Sequence, residues 1–240
     1  VGSEMCIRDR ALTVDAEGSL ATSGKYSLST GAEVVTDKLL VAKAGDAKNI
    51  SVEGFGTIAD ITIEETVADS LEGKEVTITL PNSSDLIFNS KYAKGLKVGE
   101  EVGTFETTVA KGKRGLNDTR VDVHYAYETE VKDGKTVVKS IDDKKIVVDF
   151  DNVVKTGTKG SLVLEDLEVQ AEDKKDDVST GEVKVTVKAD KMEDTKLVVA
   201  NVAEFGVAYT VDEVEELTAG QGSEKVKVKL KENAVDTLNK

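Results

Sequence analysis

Cysteine occurs once in the chain, at Cys6, histidine once, at His124, proline once, at Pro81, and tryptophan not at all. One cysteine excludes an internal disulfide framework and a thiolate-based metal site. One histidine excludes a multi-histidine metal centre and leaves any general base without the partners such chemistry needs. The lack of tryptophan, with aromatics at 4%, removes most of the flat platforms on which sugar rings stack. Positive charge is also short: 32 Lys and Arg stand against 46 Asp and Glu, a net charge of −14. Such a chain is a poor partner for phosphate backbones, so nucleic acid is disfavoured. No apolar run is long enough to span a bilayer. Phosphate-cradling glycine loops, nucleophile elbows and zinc-ligand spacings are missing. Together these absences lead to the expectation of a non-catalytic protein.

The first ten residues, VGSEMCIRDR, differ from everything after them: they hold the only Cys, one of two Met and two of four Arg. Back-translated, all ten resemble the adapter end of a transposase-based DNA sequencing library, read through in frame. Residues 1–10 are therefore set aside as artefact. The protein proper is expected to start near Ala11, with its natural start missing and no cysteine of its own. Net charge is unchanged, because Glu4 and Asp9 offset Arg8 and Arg10.

What remains is dominated by alternation. VTITL (76–80), VDVHYAY (121–127), KIVVDF (145–150), EVKVTV (182–187) and EKVKVKL (224–230) place apolar residues at every second position. A period of two sends one row of side chains to a core and the other to water, as in half-buried antiparallel strands. Val, Ile and Thr dominate them. Asp133-Gly134 in EVKDGKTVV suits a tight hairpin, because both residues tolerate positive φ. LEGKE (71–75), KTGTKG (155–160) and STGE (179–182) mark further turns, and TVADSL (66–71) is the best candidate for a turn of helix. The expected fold is an all-β, antiparallel, immunoglobulin-like or cohesin-like sandwich.

The chain also repeats itself. FGTIADITIEETVADSLEGKEVTITL (55–80) aligns without a gap on FGVAYTVDEVEELTAGQGSEKVKVKL (205–230), with Phe55/Phe205, Gly56/Gly206, Glu65/Glu215, Val76/Val226 and Leu80/Leu230 identical. Upstream, KLLVAKA (38–44) matches KLVVANV (196–202). Two blocks in one order at nearly one spacing, about 150 residues, indicate a tandem repeat of whole domains. The expected organisation is the C-terminal part of a preceding repeat at 11–54, a complete sandwich at 55–204, and the N-terminal part of a following repeat at 205–240. A domain of about 150 residues buries roughly two-thirds of its unfolded surface, enough for its own core. The two partial copies lack covering strands and are expected to be less stable or to pair irregularly through exposed edges.

The pair ADITIEETVADSLEGKEVTITLP (59–81) and TKLVVANV (195–202) resembles repeats of secreted surface proteins of Gram-positive, clostridia-like bacteria, of the type carrying S-layer-homology or copper-amine-oxidase-like domains elsewhere. The resemblance implies an extracellular location at the cell surface or wall and a structural or adhesive role. The alternative reading is a protein- or carbohydrate-binding, cohesin-like module accessory to a secreted enzyme. Neighbouring repeats, a cell-wall polymer or another surface protein are the implied partners, and no catalytic residue is carried over.

Few residues stand out as candidate sites. In VDVHYAY, Val121, Val123, Tyr125 and Tyr127 are expected to face the core and His124 the water. The doublets Glu64-Glu65, Asp142-Asp143, Asp176-Asp177 and Glu215-Glu216 read as solvated faces. Asp149, Asp151 and Asn152 in DFDN offer hard oxygens at a strand end, a weak calcium candidate lacking the glycine and ligand count of a full loop. Residues 91–120 carry seven Lys and Arg against four Asp and Glu, including Lys111, Lys113, Arg114 and Arg120. This basic stretch, without clean alternation, reads as a loop able to meet an anionic wall polymer. Asn201, in an apolar strand, is the residue to watch for a Lys–Asn crosslink.

Overall fold

The computed structural model describes residues 12–16, 24–28, 39–172, 178–204, 206–211 and 228–233. The chain divides into two compact units, Val1–Asp37 and Lys38–Lys240. The first holds one hairpin, β1 (Leu12–Ala16) against β2 (Gly24–Leu28).

The second unit is an all-β sandwich. Its strands are β3 (Leu40–Ala44), β4 (Lys48–Ser51), β5 (Gly56–Thr57), β6 (Ile61–Glu65), β7 (Glu75–Thr79), β8 (Leu86–Phe88), β9 (Glu106–Lys113), β10 (Thr119–Lys132), β11 (Lys135–Asp149), β12 (Ser161–Leu164), β13 (Glu168–Ala171), β14 (Gly181–Ala189) and β15 (Thr195–Ala203). Ten of them form one curled sheet in the order β3-β6-β12-β9-β10-β11-β7-β14-β15-β4, and β5-β13-β8 make a smaller one. A separate hairpin follows, β16 (Val207–Val211) with β17 (Val228–Glu232).

Alternation built the core as expected. Val76, Ile78 and Leu80, Val121, Val123 and Tyr125, Ile146, Val148 and Phe150, and Val183, Val185 and Val187 are all buried. The Asp133-Gly134 hairpin also forms, with φ of 51° and 78° between β10 and β11. Both residues take the left-handed conformation that a two-residue hairpin turn demands.

Three local expectations change. TVADSL forms turns, not helix; among the described residues the one short helix is a 3-10 turn at Ser90–Ala93. Part of the basic stretch is strand. In β9, Glu106–Ala110 pair with β10 and Lys111–Lys113 with β12, so this strand turns the corner between the two layers. And the sheet begins before residue 55. Residues of β3 pair with β6, while β4 pairs in parallel with β15. The eight residues by which the two matched segments differ in spacing fall in the 45–54 stretch that holds β4. That stretch supplies an edge strand.

Candidate functional site

The basic stretch is dispersed by its own strands. Lys111 and Lys113 point outward from β9, with Lys111 Nζ 3.8 Å from Asp118. Arg114, in a left-handed turn at φ 56°, reaches back to Glu64 Oε1 at 2.9 Å, and Lys43 reaches Glu64 Oε2 at 2.8 Å. The Lys43 hydrogen bond foremost, with the Arg114 and Lys43 charges, holds the Glu64 carboxyl below its ordinary value. Arg120 lies on β10 beside Val109, and with Lys111 it lines an open depression whose other wall holds Glu165 and Asp166. Two of the four cations are therefore committed to carboxylates, and the depression carries both signs of charge. Exposed pairs of this kind contribute little stability, about 0–1 kcal/mol each.

The Glu64-Glu65 doublet splits. Glu65 is buried, and its carboxylate accepts from the Leu71 N–H at 3.0 Å and the Gly160 N–H at 2.9 Å. The Glu65 N–H in turn donates to the Gly160 carbonyl at 3.0 Å. This residue is a latch between the 66–74 turn and the loop before β12, not a solvated acid. Neighbours on a strand face opposite ways, so one glutamate of the doublet had to turn inward, and only the long-range pairing of β6 with β12 decides which.

Asp142-Asp143 sits against Lys144, whose ammonium donates to the carbonyls of Asn82 at 3.2 Å and Ser84 at 2.8 Å and pairs with Glu172 at 3.2 Å. Burial, then repulsion from Asp142 and Glu172, pushes the Asp143 carboxyl above its ordinary value of 3.8. A carboxyl that holds its proton more tightly folded than unfolded weakens the fold as pH rises from 3.8 through its folded value. Asp143→Asn is therefore expected to raise the thermal midpoint at pH 7 by a degree or two, on the order of 0.5 kcal/mol. The gain should fade below pH 3.8, where the wild-type group is already protonated. A pH series of melts of both proteins would show it; a gain equally large at pH 3 would refute the assignment. The doublets Asp176-Asp177 and Glu215-Glu216 lie outside the described residues.

His124 is not in water. The pairing of β10 with β11 shifts register between Tyr125 and Ala126, and Tyr127 comes round to the histidine's side. Phe105 stacks on the imidazole at 3.9 Å and Tyr127 lies 5.4 Å away, leaving His124 buried. Its Nδ1 lies 2.8 Å from the Tyr125 carbonyl, which only accepts, so Nδ1 carries the hydrogen. Aromatic rings cover it where an acid–base pair would need a carboxylate. Tyr125 itself faces the core, its hydroxyl donating to the Phe88 carbonyl at 2.6 Å, and burial pushes its phenol upward.

At the calcium candidate, Asp149 Oδ1 accepts from the Asp151 N–H at 2.9 Å, and the Asn152 carbonyl accepts from the Thr119 hydroxyl at 3.4 Å. Burial first, then the charges of Asp151 and of Asp122 across the ladder, raises the Asp149 carboxyl. Among the described residues no three Asp, Glu, His or Cys side chains group as a metal set. Asn201, on β15, stands opposite Glu182 and Asn49, with no lysine across from it on either side. Among the described residues no helix is long and apolar enough to cross a membrane.

Glu65, buried, and Lys144, partly buried, thus tie together segments distant in sequence. Neither a family model nor a curated protein matches the chain.

Proposed function

We propose that this chain is a non-catalytic structural or adhesive repeat module of a bacterial cell-surface protein, its sandwich of immunoglobulin-like or cohesin-like type. The observation that carries this reading is the internal repeat: 205–230 aligns on 55–80 directly after a domain-sized stretch. Long surface proteins space their outer parts in this way. The packing is consistent with such a spacer, since the interior is filled by side chains and every buried side-chain polar atom described has a partner. The partners of first choice are neighbouring repeats of the same chain, and then wall polymer or another surface protein.

The test is the intact reading frame, recovered by long-read sequencing of the source DNA. Further copies at about 150 residues, behind a secretion signal and with a wall-attachment region, are the expected result. A frame leading into a catalytic domain would overturn the spacer reading and make 55–204 an accessory binding module. In parallel, binding to isolated Gram-positive walls separates the two forms of this reading: a pure spacer shows no saturable binding, and an adhesive module shows it. Saturable binding abolished by Lys113→Glu together with Arg120→Glu would favour a wall-binding role for β9 and β10.

A further inference from the structure

The hairpin β16–β17 is amphipathic, and among the described residues nothing covers its apolar side. Tyr209 pairs with Leu230 and Val211 with Val228, so these four and Val207 share one face. Their exposures are 72%, 59%, 48%, 53% and 40% in that order. Soluble surfaces rarely leave five adjacent apolar side chains in water without a function.

The repeat states what belongs there. At the spacing of 150, Tyr209, Val211, Val228 and Leu230 correspond to Ala59, Ile61, Ile78 and Leu80. In the complete copy those four are 1%, 0%, 0% and 1% exposed. Ile61 is flanked by Leu164 of β12 and Ala44 of β3, and Ile78 by Ile146 of β11 and Val187 of β14. The ladders differ too. In the complete copy β12, β9, β10 and β11 stand between β6 and β7, which never pair with each other. At the same spacing β6 and β7 correspond to 211–215 and 225–229, which meet β16 at Val211 and β17 at Val228 and Lys229, and there Val211 pairs directly with Val228. The sequence identity extends to Glu215, the counterpart of the latch Glu65, whose role in the complete copy is to grip the loop before β12.

We infer that the β16–β17 pairing is a stand-in, and that the apolar face is the unfilled half of a second sandwich. Its occupant is a set of strands equivalent to β9–β12 from a further copy of this repeat, which enter between β16 and β17 and separate them, with the equivalent of β14 on the outer side of β17. Unpaired strands take whatever edge is nearest. With no intervening strands to bind, the two pair together and leave their core side chains in water. The inference rests on the tandem-repeat reading above, but not on the surface location.

An extended chain tests it, made of residues 1–230 followed by 81–204, so that the second copy is completed from the protein's own sequence. A control chain joins 55–204 directly after Glu204. Amide hydrogen exchange is read at 207–211 and 228–230, together with closure of a disulfide in the Val211→Cys/Val228→Cys double variant on a Cys6→Ser background. In the original chain these amides should exchange quickly and the disulfide should close. In the extended chain exchange should slow by at least about 100-fold, and the disulfide should no longer close, because the two strands have parted. A disulfide that still closes, with exchange unchanged, overturns the inference. So does a control that gains a second cooperative unit when the extended chain does not, and so does failure of both. Protection that rises with concentration in the original chain would assign the face to a second molecule and overturn it as well. A reading frame leading to an enzyme would sink the surface role and leave this result standing.

Discussion

Replacing Glu65 by alanine should cost roughly 2–5 kcal/mol of folding stability. The carboxylate is buried and satisfies two backbone N–H groups, of Leu71 and Gly160, which sit in loops remote in sequence. Alanine leaves both donors buried without an acceptor, and each such orphan costs about 1–3 kcal/mol. Glu65→Gln keeps one oxygen and turns an amide N–H against the other donor, so it should fall about midway. Glu64→Ala, one residue away, removes only exposed ion pairs to Lys43 and Arg114 and should cost about 1 kcal/mol or less. Urea unfolding of the three variants decides it, through midpoints at unchanged slope. If Glu65→Ala and Glu64→Ala unfold together, the latch has no energetic content.

The second large effect is expected at the corner of β9. Gly112 pairs with Leu162 of β12 while the Leu116–Asn117 segment folds over it, and the Gly112 N–H donates to Asp118 at 2.9 Å. A Cβ there would lie under 3.0 Å from the Leu116 carbonyl oxygen and the Asn117 backbone. This backbone cannot step aside as the end of a flexible side chain would. Gly112→Ala should therefore cost about 3 kcal/mol, at the upper end for overpacking. Gly134→Ala is the contrast. That glycine has φ 78° with nothing within 4 Å, so only left-handed strain remains, about 1 kcal/mol. Equal losses at the two positions would mean that the Leu116–Asn117 segment gives way and that crowding does not govern Gly112.

Local rules made much of this fold legible. Strands β7, β10, β11 and β14 announce themselves by a period of two, and the Asp133-Gly134 turn by its residue types. Strand β9 did not, because a strand that pairs with one layer and then the other loses a single inward face. His124 was misplaced for a related reason: the register shift beside Tyr125 lies in the partner strand, and alternation read along β10 alone cannot contain it. Glu65 and Glu64 look alike in sequence, and the difference between a latch and a surface ion pair is set by loops that arrive from 95 residues away. For the candidate sites, sequence supplied the residue types. It could not supply which cations would be spent on carboxylates, since that depends on the pairing of β6, β9 and β12.

The route of the chain through the sandwich has a mechanical consequence. The Leu39 N–H donates to the Lys191 carbonyl, and Leu40 bridges in parallel to Met192, so the chain comes in beside the start of β15. It leaves from the other end of that nine-residue strand, about 30 Å along the same axis. Tension between Leu39 and Glu204 would pull along the strands, not across them. The five residue pairs of β3 with β6 and the four of β4 with β15 would be loaded together in shear. A domain strung this way yields only when a whole ladder slides at once, and its resistance to stretching is set by the barrier to unfolding.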